Sequence, residues 1–317
     1  MRGLWFDGEK VIYREDLPLP RKEGEALIRI LYAGICNTDK EIVRGYHNFQ
    51  GVLGHEFVGV VEDAPDNKLV GKRVVGEINV GCGKCKYCLS GLERHCPSRT
   101  VLGILKRDGV FAEYTTLPPA NLHILPHEIE DVEGVFAEPL AAAFEIPEMV
   151  HIEPNEEVLI FGDGKLGLLI SQVMKLYAKR VILVGKHKNK LELARRWEVE
   201  GIELSDAEGL GKFPYVIEAT GTQSGFEMAV SHTLPRGHLI LKSTTAKGAT
   251  LNLSPVVVDE ISVVGTRCGP FEPAINALKR GLVDVKEMIT GIYPLERYRE
   301  AFSKNDEKES IKIIFEI

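Results

Sequence analysis

Residues 157–177, Glu157-Val-Leu-Ile-Phe-Gly-Asp-Gly-Lys-Leu-Gly-Leu-Leu-Ile-Ser-Gln-Val-Met-Lys-Leu-Tyr177, decide the fold. The first five form an apolar run typical of a strand buried in a sheet, the next six space glycines as G-x-G-x-x-G, and the remainder reads as an apolar helix. Such a glycine triplet says little alone. Between a strand and a helix it marks a tight turn where backbone N–H groups and a helix amino end approach a pyrophosphate. Gly162, Gly164, Lys165, Leu166 and Gly167 are therefore candidate dinucleotide contacts. Strand patterns recur at Arg180-Val-Ile-Leu-Val184, near 201–204, at Tyr215-Val-Ile-Glu218, His238-Leu-Ile-Leu241 and Ile261-Ser-Val-Val264. Their alternation with helical stretches predicts an α/β unit with a six-stranded, doubly wound parallel sheet.

In such a sheet the second strand ends in an acid when the cofactor carries a free ribose 2′-hydroxyl. Here it runs into Gly185-Lys-His-Lys188. Glycine withdraws the carboxylate, and the following cations suit a 2′-phosphate. Solvated charges at a helix start are the plainer reading of Lys186, His187 and Lys188. The pattern favours NADP over NAD.

Toward the amino terminus the period changes. Ala26-Leu-Ile-Arg-Ile-Leu-Tyr32, Phe57-Val-Gly-Val-Val-Glu62 and Arg73-Val-Val75, punctuated by Gly, Pro and Asp, read as strands of a β-rich unit. Between the first two lie Cys36, Thr38, His55 and Glu56. Thiolate, imidazole and carboxylate are the ligand types of zinc, and three in one short segment suggest a metal with a position open to substrate. A lone cysteine among apolar residues is more often a small buried hydrophobe. Further on, Cys82, Cys85, Cys88 and Cys96 follow C-x2-C-x2-C-x7-C. Two-residue gaps turn several thiolates to one centre, and four of them close a tetrahedral zinc shell. Unrelated thiols or an iron–sulfur cluster are the alternatives.

Gly34-x-Cys36-x-Thr38-Asp39 followed by Gly54-His55-Glu56, with the cysteine loop and the glycine turn, resembles the zinc-dependent medium-chain dehydrogenase/reductase family over nearly the whole chain. That family includes alcohol, polyol, threonine and glucose dehydrogenases. The resemblance implies a GroES-like catalytic domain from 1–127 and 266–317, with a structural zinc lobe at 81–97, and a Rossmann domain at 128–265. Strands at Phe111-Ala-Glu-Tyr-Thr-Thr-Leu-Pro-Pro119 and Leu122-His-Ile-Leu-Pro126, helices near 271–281 and 295–304 and a strand at Ser310-Ile-Lys-Ile-Ile-Phe315 complete the expected pattern.

The resemblance also implies one catalytic and one structural zinc. It makes Glu138, in Phe136-Ala-Glu-Pro-Leu-Ala141, a zinc ligand or water-holding neighbour, although a Glu at a helix start also simply complements the dipole. Glu56 stands in the same choice. Thr38 looks like the hydroxyl that starts the substrate proton's exit. Glu218-Ala-Thr-Gly-Thr222 resembles the loop beneath the nicotinamide ribose, which singles out Thr220 and Gly221. Many relatives have a histidine five residues after the catalytic cysteine where this chain has Glu41, a feature similar to the glucose dehydrogenase branch. The implied reaction exchanges a hydride between a nicotinamide and an alcohol, foremost a secondary alcohol of a polyol or sugar. A simple primary or secondary alcohol is the alternative. Zinc-free quinone or enoyl reductases lack the cysteine lobe and the Cys36/His55 pair, and a non-catalytic relative would need a broken site. A homodimer or homotetramer is expected.

Composition agrees with a soluble globular enzyme: 317 residues suffice for two cores, with 44% apolar and 27% charged residues. A net charge of -7 without a concentrated basic face argues against nucleic acid as a partner. The opening Met1-Arg-Gly-Leu-Trp-Phe-Asp-Gly8 has no signal-peptide core, and no window of about 18 apolar residues suits a membrane. The expected location is the cytoplasm, where clustered cysteines serve metals better than disulfides. Cys268, far from the other cysteines in sequence, reads as a buried residue.

Overall fold

The computed structural model describes residues 1–45, 48–243 and 251–317. The chain forms two units, Met1–Glu138 with Phe271–Ile317, and Pro139–Pro270. These limits differ from the expected 127/128 and 265/266 for local reasons. Gly134 packs so closely on Val58 and Leu125 that a Cβ there would come within 2.7 Å of both, which ties residues 128–138 to the first unit. Lys279 and Lys286 add ion pairs to Glu128 and Glu130. Exposed pairs contribute at most about 1 kcal/mol each, so the apolar contact sets the limit. At the other boundary, the Thr266 N–H donates to the Leu241 carbonyl and the Lys242 ammonium to the Arg267 carbonyl, which keeps 266–270 in the second unit.

The second unit holds six parallel strands in the spatial order Glu200–Glu203, Arg180–Gly185, Glu157–Phe161, Phe213–Glu218, Thr233–Leu241, Ser262–Gly265. Val158, Leu159, Ile160 and Phe161 are fully buried, which explains why the deciding strand reads as an unbroken apolar run. The helix Lys165–Met174 is buried from Gly167 to its end, so its sequence is apolar nearly all round. Strand order reverses between Glu157–Phe161 and Phe213–Glu218, and the carboxyl ends of two such strands form the crevice where α/β sheets bind ligands. The glycine turn and the 219–222 loop both start there; a Cβ on Gly162 would stand 2.7 Å from the Ala219 carbonyl oxygen.

The main sheet of the first unit runs Leu122–Ile124, Arg73–Gly76, Glu56–Asp63, Ala26–Gly34, Lys312–Glu316, Ile289–Pro294, with Tyr114–Leu117 also pairing Ala26–Gly34. Gly34 lies opposite Ile314 on one side and Glu56 on the other, so the chain's last strand meets the candidate metal segment in register. Edge-to-face packing of Phe111 on Phe315, centroids 5.0 Å apart, helps hold that strand, an arrangement worth about 0.5–1.5 kcal/mol beyond area burial. Ile289–Pro294 has no counterpart among the sequence expectations, because Gly291 and Pro294 interrupt its pattern. Cys268, expected buried, is partly exposed. Among the described residues no helix is long and apolar enough to cross a membrane.

Candidate active site

In the first unit the strand Ala26–Gly34 turns through Ile35 into a short helix, Asn37–Val43, with Cys36 at its N-cap. The Cys36 N–H donates to Asp39 Oδ2 at 2.8 Å, which draws the helix start tight and leaves the thiol facing inward. His55 and Glu56, where the next strand begins, are 3% and 1% exposed. Ligand atoms of Cys36, His55 and Glu56 all lie within 4.8 Å of one another. Glu138, in the first turn of the helix Ala137–Met149, is outside that set.

Asp39, fully buried, faces the far side of the imidazole: its Oδ1 lies 3.2 Å from His55 Nδ1, off-axis for a full hydrogen bond. A carboxylate behind a histidine keeps the proton on the nitrogen it faces and leaves the other nitrogen's lone pair to a metal. Burial, the largest single influence, pulls the His55 pKa down, but the charges and contacts of Asp39 and Cys36 together outweigh it and hold it well above its ordinary value. Burial pushes the Cys36 thiol up, while the hydrogen bond and charge of His55 outweigh it and bring the thiol down to about 6. Imidazolium beside thiolate is the corner's balance without a cation; a divalent metal takes the proton's place, and the donors present fit zinc. Thr38 Oγ1 is 3.7 Å from Cys36 Sγ. Glu41 points elsewhere, paired to Arg44 at 2.7 Å on the helix surface.

The residue least visible in the sequence is Lys312. It opens the strand Lys312–Glu316, is 1% exposed, and pairs its ammonium with Glu56 Oε2. Burial pushes the Lys312 pKa down to about 8, against the pull of Cys36 and Asp39. Gly34 makes room for this pair, since a Cβ there would come within 2.7 Å of Lys312 Cε, Lys312 Nζ and Glu56 Oε2. The signal for it, a lysine amid an apolar strand pattern, exists but does not name a partner.

Cys82, Cys85, Cys88 and Cys96 form a second set, again with sulfurs within 4.8 Å of one another. Cys85 Sγ lies 3.5 Å from Cys88 Sγ and 3.8 Å from Cys96 Sγ, and all four are free thiols. A tetrahedron with Zn–S bonds of about 2.3 Å has edges of about 3.8 Å, so the spacing fits the metal. Backbone N–H groups of Lys84 and Cys85 bring the Cys82 thiol down to about 6, whereas burial and its cysteine neighbours push Cys88 up to about 11. Four thiolates side by side would repel one another, so the donor set suits a cation.

In the second unit, Gly164 N-caps the helix Lys165–Met174, and a Cβ built on Gly164 would meet no protein atom within 4 Å, so its Cα faces open space. Gly167 is confined instead, its would-be Cβ 1.8 Å from the Gly162 carbonyl oxygen. Thr220 and Gly221 follow the strand Phe213–Glu218, and their N–H groups donate to Glu218 Oε1 at 2.6 and 2.9 Å. Gly185 ends the strand Arg180–Gly185, as expected, but the acid thought missing there arrives from the glycine turn. Asp163 Oδ2 accepts the N–H groups of Lys186 and His187 at 2.8 and 2.7 Å, and the His187 ring stands 3.0 Å away. Lys188 pairs with Glu203. The strand end is therefore not free of carboxylate, while Lys186 and Lys188 lie exposed beside it.

Residues 22–127 match the alcohol dehydrogenase GroES-like domain. With this fold and these donor sets, the chain belongs to the zinc-dependent medium-chain dehydrogenase/reductase family. It is 32% identical to a D-arabitol-phosphate dehydrogenase of Enterococcus avium, over 95% of this chain and 92% of that one. Identity to D-arabinitol dehydrogenase 1 of Uromyces fabae is 29%, over 99% and 96%. Among solved structures, a short chain alcohol dehydrogenase (rspB) from E. coli CFT073 complexed with NADH superposes with a TM-score of 0.90 at 28% identity, covering 100% of this chain and 99% of that one.

Proposed function

We propose that this protein is a zinc-dependent dehydrogenase that exchanges a hydride between a secondary alcohol carbon of a polyol or sugar and a nicotinamide dinucleotide. The observation that carries the reading is the meeting of Cys36, His55 and Glu56 in one buried corner, with Thr38 beside the cysteine. The polyol class is supported by the names of the arabitol-type relatives.

Zinc at the corner would supply Lewis-acid polarisation of the substrate hydroxyl, and a bound nicotinamide dinucleotide would supply the hydride acceptor. Cys36 Sγ and a ring nitrogen of His55 hold the metal, with Glu56 or Glu138 as the carboxylate ligand or water holder. Asp39 fixes the His55 tautomer. Thr38 Oγ1 receives the hydroxyl proton and starts it toward solvent, the contribution of a positioned relay group. Lys312 restrains the Glu56 carboxylate, so Glu56 could ligate a bound metal only if this buried ion pair loosened. N–H groups from Gly164, Lys165, Leu166 and Gly167 would bind the pyrophosphate, while Gly162, whose N–H goes to the Val184 carbonyl, shapes the turn. Thr220 and Gly221 support the nicotinamide ribose. Cys82, Cys85, Cys88 and Cys96 hold a second, structural zinc.

A screen of pentitols, hexitols, their phosphates and simple secondary alcohols with both NAD⁺ and NADP⁺, following reduced nicotinamide absorbance, tests the proposal. Turnover is expected to favour polyols and to vanish on zinc removal. No turnover with any alcohol, from protein shown to hold zinc and dinucleotide, would overturn it.

A further inference from the structure

We infer that Asp163, inside the glycine turn, takes over the acid normally carried by the end of the second strand and selects a dinucleotide with a free 2′-hydroxyl, NAD rather than NADP. The inference rests on the dinucleotide reading of this unit. A Cβ on Gly185 would fall 2.4 Å from Asp163 Cβ, Cγ and Oδ2. The Asp163 side chain therefore occupies the space in which a residue-185 side chain would start, and Gly185 is required by that occupancy.

The two N–H groups just past the strand, of Lys186 and His187, make a small anion nest of the kind a phosphate oxygen would use. Asp163 Oδ2 already fills it. A 2′-phosphate would have to displace a carboxylate that is 6% exposed, or lie against it, and like charges so placed repel. A 2′-hydroxyl meets the opposite situation, because Asp163 Oδ1, whose contact here is the His187 ring at 3.1 Å, is an acceptor for its proton. Of the cations that would favour phosphate, His187 Nδ1 is held by Asp163, and Lys188 makes an exposed pair with Glu203 at 3.4 Å. Lys186 is exposed.

Calorimetric titration of the zinc-loaded protein with NAD⁺, NADP⁺, AMP and adenosine 2′,5′-bisphosphate tests this without turnover. NAD⁺ should bind at least about tenfold more tightly than NADP⁺, and AMP more tightly than the bisphosphate, in line with the like-charge penalty. Asp163→Asn and Asp163→Ser should shrink that ratio by about tenfold, chiefly through gained NADP⁺ affinity. Tighter NADP⁺ binding by wild type overturns the inference. So does an equal loss of both dinucleotides in the variants with the ratio unchanged, since Asp163 would then only brace the loop. The wild-type ratio needs no substitution, so a misfolded variant leaves the test standing. Absence of binding by all four nucleotides would instead remove the dinucleotide reading, and the inference with it.

Discussion

The four-cysteine loop and the Cys36/His55/Glu56 corner both bring metal donors within 4.8 Å of one another, yet they are assembled in opposite ways. The loop draws every donor from one short segment, Cys82 to Cys96, and four equivalent sulfurs complete a shell with no place for substrate. The corner mixes donor types and leans on buried charges: Asp39 behind His55, and Lys312 on Glu56 across 256 residues. A closed site is self-sufficient and contributes its binding energy to folding. An open one must be held rigid by the surrounding sheet, because its own ligands leave coordination incomplete.

Breaking each site in turn should give the largest effects. Cys36→Ala is expected to lose one of two zinc ions and all measurable turnover while its melting temperature stays near wild type. Cys96→Ala should lose the other zinc and unfold at markedly lower temperature, since structural zinc binding is folding energy. Elemental analysis with melting curves checks both, and equal destabilisation by the two variants would erase the distinction.

Thr38→Val probes the open site alone. It keeps the volume but removes the relay hydroxyl, so turnover should fall by about 10²–10⁴-fold with zinc content unchanged. Full activity would remove Thr38 from the proton path.

Lys312→Met tests how far the corner depends on the last strand. It leaves Glu56 buried without its cation, a loss of about 3–5 kcal/mol in denaturant unfolding. Adding Glu56→Gln should restore most of that stability; a simple sum of the two losses would deny the coupling.

The smallest effect concerns the base of the cysteine loop, where Arg107 binds Glu25 at 2.7 Å and donates to Thr100 Oγ1 at 3.0 Å. Burial pushes the Glu25 carboxyl up, but hydrogen bonds from Arg107, Lys22 and Thr116 and the Arg107 charge together outweigh it and bring it to about 2, below the ordinary 4.5. The folded-state pKa is depressed, so the stabilisation is complete above about 4.5 and disappears as pH falls toward about 2. Melts of wild type against Glu25→Gln across that window should converge at the acid end. A constant difference would show that Glu25 titrates normally.

Much of the architecture was legible because its signals are local. The six parallel strands were readable as separate apolar runs, and the cysteine spacing located one donor set without a partner from elsewhere. Boundaries were less legible: helix-like residues 128–138 belong to the first unit through Gly134 packing on Val58, which periodicity does not encode. The strand Ile289–Pro294 was hidden by its own glycine and proline.

The sequence by itself determined the donor types, the glycine turn and the strand–helix alternation, since each depends on side-chain chemistry or spacing within a few turns of chain. Only the tertiary structure decided which charges face one another. It set Lys312 against Glu56, Asp39 behind His55, and Asp163 in the space at Gly185. A buried charge is tolerated only where the fold supplies its counterpart, and strand register, unlike sequence spacing, determines which distant residue that is.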